Sequence, residues 1–314
     1  MDWILLDLED ARGRRLDACR LADGHEVSLL AQAQARPFAP ALDPTGRLIA
    51  ATVQLEGAGG RADSQIALLD LERGVCRWLK QSRAADWHLG AIAFADSGER
   101  LAAEGSVGTL AATSIFVFDL GEPAFERQKL TAGAGSPDRT ACHSPCFAAG
   151  GRQVFYLRRT PGGGCQIDMI DLDRPGTSAA TLPVEAPSKL MLGLTDAIRI
   201  DPTPGLAFCP VRKRLYFAHG AAGRHRLAWK ALTGQAPHLF WRAHGQISGL
   251  WAAADGSGAA YVADGQLWWA DVELDDVIAL VPEQTKIDPT LVRLAADPAW
   301  ILIGGHEGDG AVVR

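Results

Sequence analysis

One short pattern recurs along this chain of 314 residues and constrains its fold more than any other feature. An apolar position leads into two or three small or turn-forming residues, then glycine or a substitute, then an apolar run. It reads LDPTGRLIAA from Leu42, FADSGERLAA from Phe94 and FAAGGRQVFY from Phe147. It returns as FCPVRKRLYF from Phe208, ADGSGAAYVA from Ala254 and LAADPAWILI from Leu294. Asp, Pro, Gly and Ser between two short apolar runs are the chemistry of a tight hairpin.

A second pattern follows most of these hairpins, an apolar strand ending in Asp-Leu or a close relative. It reads IALLDLERG at Ile66, IFVFDLGE at Ile115, IDMIDLDR at Ile167 and LWWADVEL at Leu267, with a weaker LAWKALTG at Leu227. A fourth short strand comes next, such as VCRWL at Val75 or HLFW at His238. Four short strands per unit, at a period of roughly 40 to 60 residues, predict an all-β, six-bladed β-propeller of antiparallel strands. The blades run over about 38–80, 89–131, 143–183, 203–241 and 247–281, with a sixth shared by about 1–31 and 287–314. The last hairpin has no Asp-Leu strand after it, whereas WILLDLED stands at Trp3 to Asp10. The reading therefore closes the ring by pairing the N-terminal strands with the C-terminal blade, which leaves no open sheet edge. In a rival register, Leu16 to Leu21 and Glu26 to Leu30 form the outer hairpin of that blade around Asp23-Gly24.

The hairpin turns resemble the repeats of TolB-type and WD-repeat-like propellers, whose units carry a Phe-Ser-Pro-Asp-Gly-like turn. The resemblance covers essentially the whole chain. It implies the fold and leaves function open, because propellers host many unrelated activities. Arg212 and Pro298 stand where two of the turns lack their glycine, and no unit carries a Gly-His…Trp-Asp pair.

Composition narrows the partners. A net charge of −6 gives no electrostatic footprint for nucleic acid or an anionic membrane. No segment approaches the ~20 apolar residues of a membrane helix. The first residues lack the basic start of a signal peptide, so a cytoplasmic protein with six reduced thiols is expected. CHSPC at Cys142 to Cys146 lacks the second ligand pair that zinc sites carry at comparable spacing, and no cofactor or metal is expected. The chain has no asparagine, which departs from the acidic and Asn ligand sets of six-bladed lactonases, and it has no G-x-S-x-G elbow.

The residues entering each innermost strand ring one mouth of a propeller channel. These are His88, His143 with Ser144, Thr203, Ser248 and Thr290. Two histidines beside several hydroxyls suit an anion, a metal or a peptide end; the plainer reading makes them loop residues bonded to nearby backbone. Five tryptophans, Trp229, Trp241, Trp251, Trp268 and Trp269, crowd into the fourth and fifth units. Most are expected to pack between blades, and a minority to stand exposed as partner contacts. Two long connections, 131–142 and 183–204, break the repeat. The leading expectation is a non-catalytic interaction module with a protein partner and no nucleic acid or membrane contact. The alternative is a small-molecule binder or hydrolase-type enzyme that uses His88 and His143 at the channel mouth.

Overall fold

In the computed structural model the hairpin repeat becomes strands almost throughout. The residues described are 3–10, 13–20, 26–30, 35–43, 47–56, 62–79, 87–107, 113–121, 127–129, 141–159, 165–174, 180–182, 200–221, 224–233, 236–253, 255–280, 292–294, 301–303 and 311–313. Among them the only helical turn is a 3₁₀ turn at Ala149–Gly151. By compactness the chain divides into two units, 1–145 with 302–312 and 146–301 with 313–314.

In the first unit, β1 (Trp3–Asp10), β2 (Gly13–Arg20) and β3 (Glu26–Leu30) form a three-stranded sheet in sequential order. A four-stranded sheet follows, of β4 (Ala35–Leu42), β5 (Leu48–Glu56), β6 (Ala62–Asp70) and β7 (Val75–Trp78). The next contains β8 (Trp87–Phe94), β9 (Arg100–Val107), β10 (Ser114–Asp119) and β11 (Arg127–Lys129). Ala50, Ile66 and Leu68 of one sheet pack with Leu89, Leu101, Ala103, Phe116 and Phe118 of the other in a common core.

β12 (Cys142–Phe147) spans the boundary between the units. It starts a sheet that continues through β13 (Gln153–Arg159) and β14 (Cys165–Asp171), with the short β15 (Ala180–Thr181) beside β14. A single pair, Cys165 with Ile200, joins β14 to β16 (Ile200–Cys209). From there β17 (Arg214–Ala221), β18 (Arg224–Ala231) and β19 (His238–Leu239) complete an eight-stranded sheet equal to two repeats. The fifth hairpin gives β20 (Ile247–Ala252), β21 (Gly258–Ala263), β22 (Gln266–Asp271) and β23 (Asp276–Ala279). Finally β24 (Val292–Leu294), β25 (Ile301–Ile303) and β26 (Ala311–Val313) form a three-stranded sheet. Tyr216, Leu227, Phe240, Tyr261 and Trp268 fill the core between the fourth and fifth repeats.

The recurring residues have specific physical jobs. Each of four first-to-second-strand turns holds a left-handed residue: Gly98, Gly150, Lys213 and Gly256 have φ of 71°, 81°, 51° and 81°. Glycine adopts that conformation at little steric cost, and Lys213 shows the chain taking it where the repeat lacks glycine. The Asp of each Asp-Leu signature caps the turn after its strand. Asp70 Oδ1 accepts the Glu72 and Arg73 N–H groups, and Asp271 Oδ1 accepts those of Glu273 and Leu274. Asp119 and Asp171 do the same for Gly121 and Asp173. The next residue then donates its own N–H to the first turn of its repeat, as in Leu71 to Arg47, Leu120 to Glu99, Leu172 to Arg152 and Val272 to Ser257.

The ends of the chain follow a different course. Asp7 of WILLDLED lies inside β1 opposite Leu16, whereas Asp70, Asp119, Asp171 and Asp271 each end their strand. The strand pairs with β2, and β2 pairs with β3 as the hairpin around Asp23-Gly24 requires. Among the described residues, no ladder joins β1 to β24, β25 or β26. No helix there is long and apolar enough to cross a membrane.

Candidate functional site

Three of the six expected mouth residues lie in the first unit, and two of them, His143 and Ser144, meet a carboxylate that the sequence reading passed over. Glu104 lies in β9 within Leu-Ala-Ala-Glu-Gly-Ser-Val, the lone charge in a run of small and apolar residues. Alternation along β9 puts Leu101 and Ala103 on the core face and Glu104 with Ser106 on the other. That isolated charge was the available signal.

Both Glu104 oxygens are engaged. His143 Nδ1 lies 3.1 Å from Oε1, and the Ser144 N–H donates to Oε2 at 3.0 Å. Glu104 and His143 are mostly buried, with 18% and 23% of their side chains exposed. Ser144 takes φ of 53°, a left-handed conformation that costs a side-chain-bearing residue roughly 1–2 kcal/mol. The turn of chain it creates aims its N–H at the carboxylate. Thr113 Oγ1 stands 3.4 Å from the same imidazole nitrogen.

The neighbouring strand is shaped to admit the carboxylate. The β8–β9 register shifts between Leu89 and Ile92, and Gly90 sits in that bulge. A Cβ at Gly90 would lie 3.1 Å from Glu104 Oε1, tighter than most real contacts. Thr52 Oγ1 donates to the Gly90 carbonyl at 3.0 Å and fixes the bulge from the adjacent sheet.

His88 is an exposed residue of β8 paired with Ser106, two positions beyond Glu104 on β9 and on the same face of that strand. His88, His143 and Ser144 are all strand residues, because the β8 and β12 ladders begin before them. Thr203 and Ser248 lie in the second unit, on β16 and β20, with Ser248 half-buried; the side chain of Thr203 and all of Thr290 fall outside the described residues.

Chemically, a carboxylate only accepts, so Nδ1 of His143 carries the proton and Nε2 holds the lone pair when the ring is neutral. That nitrogen is buried and without a hydrogen-bond partner among the described residues. Among those residues no three His, Cys, Asp or Glu side chains are grouped to hold a metal ion. Cys76, Cys142, Cys146, Cys165 and Cys209 are all thiols. Burial pushes the Cys146 thiol up to about 12, which keeps it protonated and inert.

A second polar cluster, also unread in the sequence, lies in the second unit. His244 Nε2 stands 2.8 Å from the Tyr261 hydroxyl, and Asp264 accepts the Gly245 and Gln246 N–H groups at 2.8 Å each. Its signal was Asp264-Gly265, a two-residue hairpin turn with φ of 52° and 76°. Of the five tryptophans, Trp268 is buried, Trp229, Trp251 and Trp269 are half-buried, and Trp241 stands exposed.

No family model matches the chain, and no curated protein matches it. Solved structures do. TolB from Acinetobacter baumannii is similar at 15% identity and a TM-score of 0.59, covering 90% of this chain and 64% of its own. The chain therefore spans less than two thirds of that protein. An oligogalacturonate lyase in complex with manganese aligns at 12% identity and a TM-score of 0.68, over 95% of this chain and 81% of the lyase. A chain of a mitotic checkpoint complex aligns at 13% and 0.62, over 100% of this chain and 84% of its own. Identities this low carry the fold alone. The chain has an all-β fold resembling the TolB-type and WD-repeat-like β-propellers.

Proposed function

We propose that this chain is a non-catalytic recognition module, a cytoplasmic six-bladed propeller that holds a protein partner through apolar side chains on its connecting turns. The observation that carries the reading is where large apolar groups meet solvent. In the second unit Val211, Trp241 and Leu274 are 66%, 63% and 69% exposed, all three outside strands. Val211 and Leu274 flank one ion pair, Arg212 to Glu273 at 3.6 Å, so two neighbouring turns present them together. Exposed aromatic and apolar groups beside arginine are the usual composition of interface centres. The test is capture by immobilised protein from its native extract. A partner retained by wild type and lost by Trp241→Ser with Leu274→Ser, at unchanged melting temperature, supports the reading. Equal capture by the double variant contradicts it.

Ring closure by the N-terminal strands belongs to the same proposal. Removing residues 1–9 should then lower the melting temperature sharply, because β2 loses the strand it pairs with.

A second reading, a small-molecule binder or hydrolase-type enzyme, is favoured by one observation, the oriented His143 whose buried Nε2 has no hydrogen-bond partner among the described residues. His143→Gln that abolishes a ligand-binding or hydrolytic activity at unchanged stability would promote it over the first.

A further inference from the structure

We propose that residues 241–246 form an acid-released latch in which His244 is the pin and Trp241 the group presented. The proposal rests on the reading of Trp241 as a partner contact for its purpose, but not for its mechanics.

Several ties fasten this short segment to the sheet beneath it. His244 exchanges backbone hydrogen bonds with His225 of β18, both at 2.8 Å. Its buried ring packs edge-on to Tyr261 and tilted against Trp268, with centroids 5.3 and 5.0 Å away. Arg242 lays its guanidinium over Trp268, 4.0 Å from the ring centre. Asp264 holds the Gly245 and Gln246 N–H groups. Trp241, immediately before Arg242, stands in solvent at one end of the fastened stretch.

Protonation of the imidazole loosens the central tie. With its Nδ1 proton on the side of the Asp264 carboxylate, 4.0 Å away, the neutral ring offers Nε2 as acceptor to the Tyr261 hydroxyl at 2.8 Å. A proton on Nε2 turns that nitrogen into a donor, so the Tyr261 hydroxyl must accept and its own proton loses its acceptor, and a cation is placed among Tyr261, Trp268 and Arg242. The charged and titratable groups around it are Arg242 on its own segment, Tyr261 of β21 and Asp264 in the β21–β22 turn. His225 of β18 is its backbone partner, with Arg226 and His219 beside it. Among the described residues Asp264 alone opposes a positive charge there, and its oxygen is 4.0 Å from Nδ1. Burial holds His244 down to about 4, with Asp264 pulling against that shift and Arg242 adding to it. A released segment titrates near the ordinary 6.5. Opening is therefore favoured by up to about tenfold per pH unit as pH falls between those values. The remaining ties are backbone bonds, the Arg242 stack on Trp268 and one exposed carboxylate, none of them part of the β20–β21 ladder, so the segment can part before the strands do.

Amide hydrogen exchange tests this without any partner. Between pH 7 and pH 4.5, after correction for intrinsic rates, protection at His244, Gly245 and Gln246 should fall more than tenfold. Protection at Leu250 of β20 and Val262 of β21 should hold. His244→Phe fills the same space without a titrating nitrogen and should flatten the response. Tyr261→Phe removes the hydroxyl that favours the neutral ring, so the gap between closed and released values narrows and the fall in protection should be smaller than in wild type. The latch is overturned by flat protection in wild type, by an equal fall in His244→Phe, or by Leu250 and Val262 losing protection in step. A failed capture test with Trp241→Ser leaves this result intact, and a failed exchange test leaves the partner reading intact.

Discussion

Glu104 is the residue whose removal reports most directly on the candidate site. Alanine at that position deletes two hydrogen bonds to a charged acceptor, from His143 Nδ1 and the Ser144 N–H. Bonds of that kind contribute about 1.5–3 kcal/mol each. Partial exposure of both side chains lets water replace some of the loss, so the lower end applies and Glu104→Ala should cost about 3 kcal/mol. Glutamine keeps one good acceptor and should cost about half as much, so the order Ala above Gln is part of the expectation. Ser144→Gly should stay within about 1 kcal/mol of wild type, since glycine takes a left-handed φ easily but gains freedom in the unfolded chain. His88→Gln, an exposed change, should stay within about 0.5 kcal/mol. Guanidinium denaturation followed by far-UV circular dichroism measures all four. A cost below 1 kcal/mol for Glu104→Ala would refute the claim that this carboxylate organises the strand entry.

Three further outcomes are expected. His244 has a folded-state value near 4 against 6.5 unfolded, so the unfolded chain binds more protons in that window. The associated stability is full above pH 6.5 and falls by about 3 kcal/mol as pH drops through 4, and the His244→Phe stability curve should lack that component of the slope. Gly258→Ala should destabilise far more than Gly265→Ala, as melting temperatures will show. Its Cβ would come within 2.2 Å of the Ala270 carbonyl oxygen, whereas Gly265 has open space and only an unfavourable φ. In native protein treated with iodoacetamide at pH 8, mass spectrometry should find Cys76 alkylated before Cys146, because Cys76 is only half-buried and Cys146 is fully enclosed with its thiol raised to about 12.

How much of this was readable in the sequence depends on how local the causes are. The turn glycines and the Asp-Leu signatures act within a few residues, through φ and side-chain-to-backbone bonds, and so they print a pattern that repeats. The same locality misleads at Asp7, where an identical dipeptide sits inside a strand rather than at its end. His143 and Ser144 were found because they stand at a strand entry. Glu104 was missed because its partners lie about forty positions away and meet it only once the sheets are assembled. His244 was missed for a related reason: its meaning comes from Tyr261, Asp264 and Trp268, which one hairpin turn brings together.

The N–H that follows each capping aspartate has a consequence for how the protein is made. Leu71, Leu120, Leu172 and Val272 each bond to a turn of their own repeat rather than to a distant part of the chain. A repeat can therefore satisfy its inner and outer hairpins as soon as its own residues have left the ribosome. Contacts of short sequence separation form early and fast, and domains assembled in order of synthesis expose fewer unpaired edges while they wait. A stalled or truncated translation product should then carry finished sheets up to its last complete repeat, with the ragged portion confined to the repeat that synthesis interrupted.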